Sequence, residues 1–228
     1  MVTLIIGKSG TGKSRSIINL PADKTGIINV NGKPLPFRGW KANYKVMTKD
    51  GGNMLMSDDY TTIIKGIDFI SKNFTTGIID DFQYVMANEF MRRSQEKGFE
   101  KFTDIGRHAW DIVHRLSASP IHWFVLSHSE RSDTGECKAK RIGKLLDDKI
   151  CLEGMFSMVL NTVVEDGKFY FETQNNGQNT SKSPEGMFDA VRIPNDLEYV
   201  VSHINGPAVC TDGRAFLLKE RTDVAPNA

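Results

Sequence analysis

Gly7-Lys8-Ser9-Gly10-Thr11-Gly12-Lys13-Ser14 matches the pattern G-x-x-x-x-G-K-[ST] in full. Glycines there let the backbone curl so that successive N–H groups point inward at phosphate oxygens. A helix N-terminus directly after the loop adds partial positive charge. Lys13 has the reach for β- and γ-phosphates, and the Ser14 hydroxyl is placed to bind Mg²⁺. Lys8 and Thr11 occupy variable positions of the pattern. The candidate nucleotide-binding set is therefore Gly7, Ser9, Gly10, Thr11, Gly12, Lys13, Ser14 and Arg15, with ATP and Mg²⁺ as the expected ligands.

Three further residues sit where a phosphate site needs acids and a polar contact. Asp80 ends the apolar run Gly77-Ile78-Ile79, the place of an aspartate that helps Ser14 hold Mg²⁺. Asp81 follows, where a base could activate water, although it could equally face solvent or cap the next helix. Glu130 is a weaker alternative base. His128 closes another apolar run, Trp123-Phe124-Val125-Leu126. It could touch the γ-phosphate or simply bond to backbone.

The elements that must position these residues are legible as periodicities. Val2–Ile6 reads as a buried parallel strand, and the helix after the loop runs through Ile17, Ile18 and Leu20 and stops before Pro21. A second strand is expected at Gly26–Val30, with Asn31-Gly32 turning into a hairpin over Lys33–Phe37. Residues 38–58 read as a long loop or insertion. Ile63, Ile64, Ile67 and Ile70 have helical spacing behind Asp58 and Asp59. Phe102, Ile105, Ala109, Ile112, Val113 and Leu116 mark another helix, with Thr103 as candidate cap. A fourth strand, His122–Leu126, ends at Ser127-His128, and polar residues 129–144 read as a mobile loop. Phe156–Val164, Asp166-Gly167 and Lys168–Thr173 form the clearest hairpin signal. Residues 174–183 read as a second mobile loop, and 219–228 as a tail. Helices alternating with apolar strands before a late hairpin give a single α/β domain with a mostly parallel sheet.

Composition narrows the partners. The chain has 228 residues, 39% of them hydrophobic and 25% charged, which fits one ordinary globular domain and excludes disordered and fibrous classes. Net charge is +1, so a nucleic-acid partner must be held by local clusters. Three scattered cysteines, Cys137, Cys151 and Cys210, argue against a disulfide framework or thiolate metal site. No apolar run approaches membrane-spanning length, and no secretory signal opens the chain, so a cytoplasmic protein is expected.

The three motifs, Gly7–Ser14, Ile78-Ile79-Asp80-Asp81 and Val125-Leu126-Ser127-His128, together resemble those of RecA-like P-loop ATPases. More closely, the chain is similar to short phage-encoded RecA-core ATP-binding proteins, some grouped with Sak-type single-strand annealing proteins. Leu152–Phe156, the hairpin and Thr180–Pro184 add to that likeness. The resemblance implies a P-loop NTPase fold with a RecA-like core, in which the strand ending at His128 lies between the P-loop strand and the Asp80 strand. It implies ATP hydrolysis coupled to single-stranded DNA in the host cytoplasm, within a homo-oligomeric ring or filament. A single-strand DNA-binding protein is a further candidate partner. The chain departs from RecA in having Asn29-Val30-Asn31, not a glutamate, after the second strand, and His128 in place of glutamine. No oligomerisation module precedes the P-loop.

Lys138, Lys140, Arg141 and Lys144 place four positive charges within seven residues, and Asn175 and Asn176 lie in an amide-rich loop. The resemblance turns both segments toward a central channel where single-stranded DNA would run; a solvated surface is the plain alternative. It also makes Lys182 a candidate finger for a neighbouring subunit's γ-phosphate, with Arg192 and Arg131 as competitors. Trp40 could cover adenine or the sheet, and Met54 and Met56 read as packing. Two other functions fit the same motifs. One is a small nucleotide or nucleoside kinase with residues 129–144 as its lid. The other is an assembly module that ATP switches with little hydrolysis.

Overall fold

The computed structural model describes residues 1–132, 135, 137–140 and 151–206. Its strands are β1 (Val2–Gly7), β2 (Thr25–Asn29), β3 (Met54–Met56), β4 (Thr76–Asp80), β5 (His122–Arg131), β6 (Cys137–Ala139), β7 (Met158–Glu165), β8 (Lys168–Glu172) and β9 (Arg192–Pro194). Its α-helices are α1 (Trp40–Asn43), α2 (Tyr60–Asn73), α3 (Gln83–Arg92), α4 (Glu100–Ser117) and α5 (Leu197–Asn205). Among the described residues the strands form one sheet in the order β3-β2-β4-β5-β1-β7-β8-β9, with β6 paired to β5. From β3 to β7 every neighbour is parallel, and β7-β8-β9 close the sheet with antiparallel pairs. This is a P-loop α/β fold of RecA-like type, and β5 lies between β1 and β4 as the resemblance implies.

The sheet is buried on both faces because its central strands are apolar at consecutive positions, and alternate side chains serve opposite layers. Leu4, Ile6, Ile28, Ile79, Val125 and Val159 pack under α2, α3 and α4. Ile5, Ile27, Ile78, Phe124, Leu126 and Leu160 pack on the other face with Ile17, Leu20, Tyr44, Leu197 and Val200. No helix among the described residues is long and apolar enough to cross a membrane.

Several elements differ from the sequence reading. Gly32, at φ 63°, does turn the chain, but Lys33–Phe37 forms no strand. Pro34 and Pro36 lack the N–H a ladder requires, and β2 is already flanked by β3 and β4. Residues 38–58 hold α1 and β3 as well as loop. The helix after the P-loop is a single 3₁₀ turn, Ser14–Ile17, where the Ser16 hydroxyl donates to the Lys13 carbonyl and competes with the helical ladder. Helix α4 starts before Thr103, so that residue caps nothing. Strand β5 runs past His128 to Arg131 because Ser129, Glu130 and Arg131 pair with Ala139, Lys138 and Cys137. Residues 174–183 are held to the sheet: Cys137 N–H donates to the Gln178 carbonyl, and Lys182 exchanges main-chain bonds with Val159. Arg141, Lys144 and the 219–228 tail lie outside the described residues.

Other expectations hold. Asp166 and Gly167, at φ 50° and 73°, make the hairpin turn of β7-β8. The Asp59 carboxylate accepts from Thr62 N–H at 2.8 Å and caps α2, whose Ile63, Ile67 and Ile70 are buried. Asp59→Ala should lower stability by about 1 kcal/mol, read as a lower urea midpoint with an unchanged slope.

Candidate functional site

The β1-to-turn segment is shaped by a contact from β7. A side chain at Gly7 would overlap the Thr162 hydroxyl, so the close passage of the loop requires glycine there. Thr162 also bonds Thr11 across 2.5 Å, and the Thr11 hydroxyl is within 2.7 Å of the Lys8 carbonyl. Thr11 thus shapes the loop from behind. Gly10 and Gly12, at φ 78° and 97°, supply the left-handed conformations that curl the loop.

A cavity of about 360 Å³ opens above this loop, within the range of small-ligand sites. Ser9, Gly10, Gly12, Lys13, Ser14 and Arg15 line it, with Asp80 and Asp81 at the end of β4 and His128 within β5. Lys33, Pro34 and Pro36 also line it, as does Phe169, whose ring centre is 5.1 Å from the Arg15 guanidinium carbon. Of the nucleotide set, Gly7 and Thr11 sit behind the lining.

Ser14 Oγ donates to Asp80 Oδ1 at 2.8 Å. A hydroxyl and a carboxylate converging under a phosphate-cradling loop are hard oxygen donors of the kind Mg²⁺ takes, so these residues fit the cation. Lys13 Nζ donates to the carbonyls of Gly7 and Lys8 at 2.9 and 2.8 Å. Burial lowers its ammonium to about 8 despite the attraction of Asp81 and Asp80. Burial, reinforced by the Asp81 charge, pushes the Asp80 carboxyl up to about 6, opposed by the Ser14 hydrogen bond and by Lys13.

Asp81 is built differently. It is a non-glycine residue at φ 64°, a left-handed conformation that aspartate and asparagine tolerate better than most. After it the chain rejoins β5, Phe82 N–H donating to the Leu126 carbonyl at 2.9 Å. Asn31 Nδ2 and Lys33 Nζ both donate to Asp81 Oδ2, at 3.0 and 3.1 Å, and His128 Nε2 lies 3.6 Å from Oδ1. Burial alone would raise this carboxyl, but the His128 ring beside it and the hydrogen bonds from Asn31 and Lys33 outweigh it and hold it far below the usual range. A carboxylate so held is a weak base.

His128 lines the cavity with its ring toward Asp81, while its N–H donates to Gln83 Oε1 at 3.0 Å. Lys182 lies elsewhere: its main chain pairs with Val159 on β7, and its side chain is not in the cavity wall. Arg192 is engaged by Glu165 and Glu172 at 2.7 and 3.3 Å. Glu130 faces Lys138 at 3.8 Å. Trp40 packs on the sheet outside the cavity. Lys138, Lys140, Asn175 and Asn176 also lie outside it, but β6 and the amide loop meet at the Cys137–Asn179 bridge. The Asn175 and Asn176 carbonyl oxygens accept from Gly177 and Gln178 N–H, which fixes both side chains in tight turns.

Sequence reasoning missed Lys33, Thr162 and Phe169. Lys33 had one usable signal, its place just beyond the carboxyl end of a parallel strand, where such sheets gather ligand-binding residues. Thr162 and Phe169 had none, being brought to the loop by the hairpin's pairing alone.

Gly7→Ala should cost about 1–3 kcal/mol by overpacking. Adding Thr162→Ala to that variant should restore most of the loss, a non-additivity that urea unfolding of the four-variant cycle reads directly. No protein-family description matches the chain, and no curated protein matches its sequence. Among solved structures, a KaiC-like protein from the hyperthermophilic archaeon Pyrococcus horikoshii OT3 is similar at 12% identity and a TM-score of 0.47, over 79% of this chain and 83% of the other.

Proposed function

We propose that this protein is an Mg²⁺-dependent ATPase that binds single-stranded DNA in phage recombination or replication and acts as a homo-oligomeric ring or filament. The Ser14–Asp80 hydrogen bond at the foot of a glycine-curled loop is the observation that carries the nucleotide half. Loop N–H groups would hold the phosphates. Lys13 would exchange the Gly7 and Lys8 carbonyls for phosphate oxygens. Ser14 and Asp80 would hold Mg²⁺, which when bound supplies positive charge beside the β- and γ-phosphates.

The DNA half rests on the resemblance and on one geometric support. Lys138 and Lys140 stand on or next to the β6 strand that pairs with β5 beyond His128, and the Asn175–Asn176 loop adjoins that strand. A binding surface made this way would be continuous with the strand that carries His128 into the cavity. Because Lys182 lies away from the cavity of its own subunit, a role as finger requires a neighbour. The secure hold of Asn31, Lys33 and His128 on Asp81 favours a second reading, an assembly module in which ATP binding outweighs turnover.

Poly-dT should raise ATP turnover, and Lys13→Ala should abolish turnover with the circular dichroism spectrum unchanged. Lys138→Glu combined with Lys140→Glu should weaken DNA binding at low salt by about tenfold or more while leaving ATP binding intact. Absence of DNA binding at low salt by filter or gel assay would remove the DNA half. ATP-dependent growth in mass without turnover would select the assembly module.

A further inference from the structure

Lys33 is placed with more care than an exposed lysine needs. Its main-chain carbonyl accepts from Asn29 Nδ2 at 2.7 Å, and Asn29 is 1% exposed. A buried amide thus fixes the start of the segment that carries Lys33, Pro34 and Pro36 into the cavity lining. From that anchor the Lys33 side chain, 60% exposed, reaches Asp81 Oδ2 at 3.1 Å. Its ammonium also stands 5.0 Å from the Tyr84 ring centre. It is close enough to Lys13 for the two charges to repel, and both feel Asp80 and Asp81.

Two ammonium groups therefore line one cavity, Lys13 from the loop and Lys33 from beyond β2. In the structure each is satisfied locally, Lys13 by carbonyls and Lys33 by a partly exposed ion pair. Lys33 is the exposed member of that pair, so it can turn toward a phosphate while Asn31 stays on Asp81. A terminal phosphate carries more charge than a carboxylate and offers more acceptor oxygens.

Resting on the nucleotide-binding reading above, we propose that Lys33 is a γ-phosphate ligand that leaves Asp81 for the terminal phosphate of a nucleoside triphosphate. Lys33 then distinguishes triphosphate from diphosphate, because a diphosphate does not extend to the wall it occupies. Lys13, bonded to the loop that holds both nucleotides, cannot make that distinction alone.

The experiment is equilibrium titration of fluorescent ATPγS and fluorescent ADP, with Mg²⁺, into the full chain and its variants. Lys33→Ala should lose about 10- to 100-fold in ATPγS affinity, with ADP affinity changed less than about threefold. Lys33→Arg should recover part of the ATPγS loss, and Lys13→Ala should weaken both nucleotides. Circular dichroism should show Lys33→Ala and Lys33→Met folded, and Lys33→Met provides a second neutral replacement. An unchanged ATPγS-to-ADP ratio in Lys33→Ala and Lys33→Met, or an equal loss for both nucleotides, overturns the inference while nucleotide binding stands. Wild-type protein that binds neither nucleotide overturns the nucleotide reading and this inference with it.

Discussion

The parallel insertion of β5 between β1 and β4 is the constraint on which the site depends. Its register places Gly7 opposite His128 and Ile79 opposite Val125, so the carboxyl ends of β1 and β4 flank the stretch of β5 that leads to His128. Ser14, one turn beyond β1, can then reach Asp80 two strands away at 2.8 Å. A slip of one residue in either pairing would invert the alternation that buries Val125 on one face and Phe124 and Leu126 on the other. Thus the packing that stabilises the sheet also sets the geometry of the cavity. The two cannot be altered separately.

Within that frame the two adjacent carboxylates differ in kind. Asp80 is buried, with the Ser14 hydroxyl and the Lys13 charge opposing its desolvation, so its carboxyl is raised. Asp81 lies one residue on and takes hydrogen bonds from Asn31 and Lys33, with the His128 ring beside it, which hold it ionised. Opposite placement of neighbouring acids in this way separates their roles: one is ready for a cation, the other organises the surrounding polar groups. Asn31, just after the second strand, contributes a donor to Asp81, so groups beyond β2 hold the charge at the end of β4.

Local sequence carried the loop, the strand-end aspartate and the β7-β8 hairpin, because each is specified by residues adjacent in the chain. Gly7–Ser14 declares its curl through its own glycines, and Asp166-Gly167 declares a turn. Lys33 was read as part of a hairpin because Asn31-Gly32 is a strong turn signal. Pro34, Pro36 and the occupied flanks of β2 decided otherwise, and the last of these is visible only in three dimensions. The extension of β5 through Ser129–Arg131 has no apolar alternation to announce it and exists because β6 supplies partners. The contact of Thr162 with Gly7 spans 155 positions of chain, a distance at which pairing, not spacing, decides who meets.

The left-handed backbone at Asp81 restricts what lineages descended from this sequence can place there. Glycine, asparagine and aspartate adopt that conformation at modest cost, whereas longer and branched side chains do so at about 1 kcal/mol or more. Of those three, only aspartate offers a charged acceptor to Asn31, Lys33 and His128 together. A change to glutamate, chemically the smallest step, would carry that backbone cost. The backbone therefore disfavours most replacements at this position, and with them changes in the amide, the lysine and the imidazole around it.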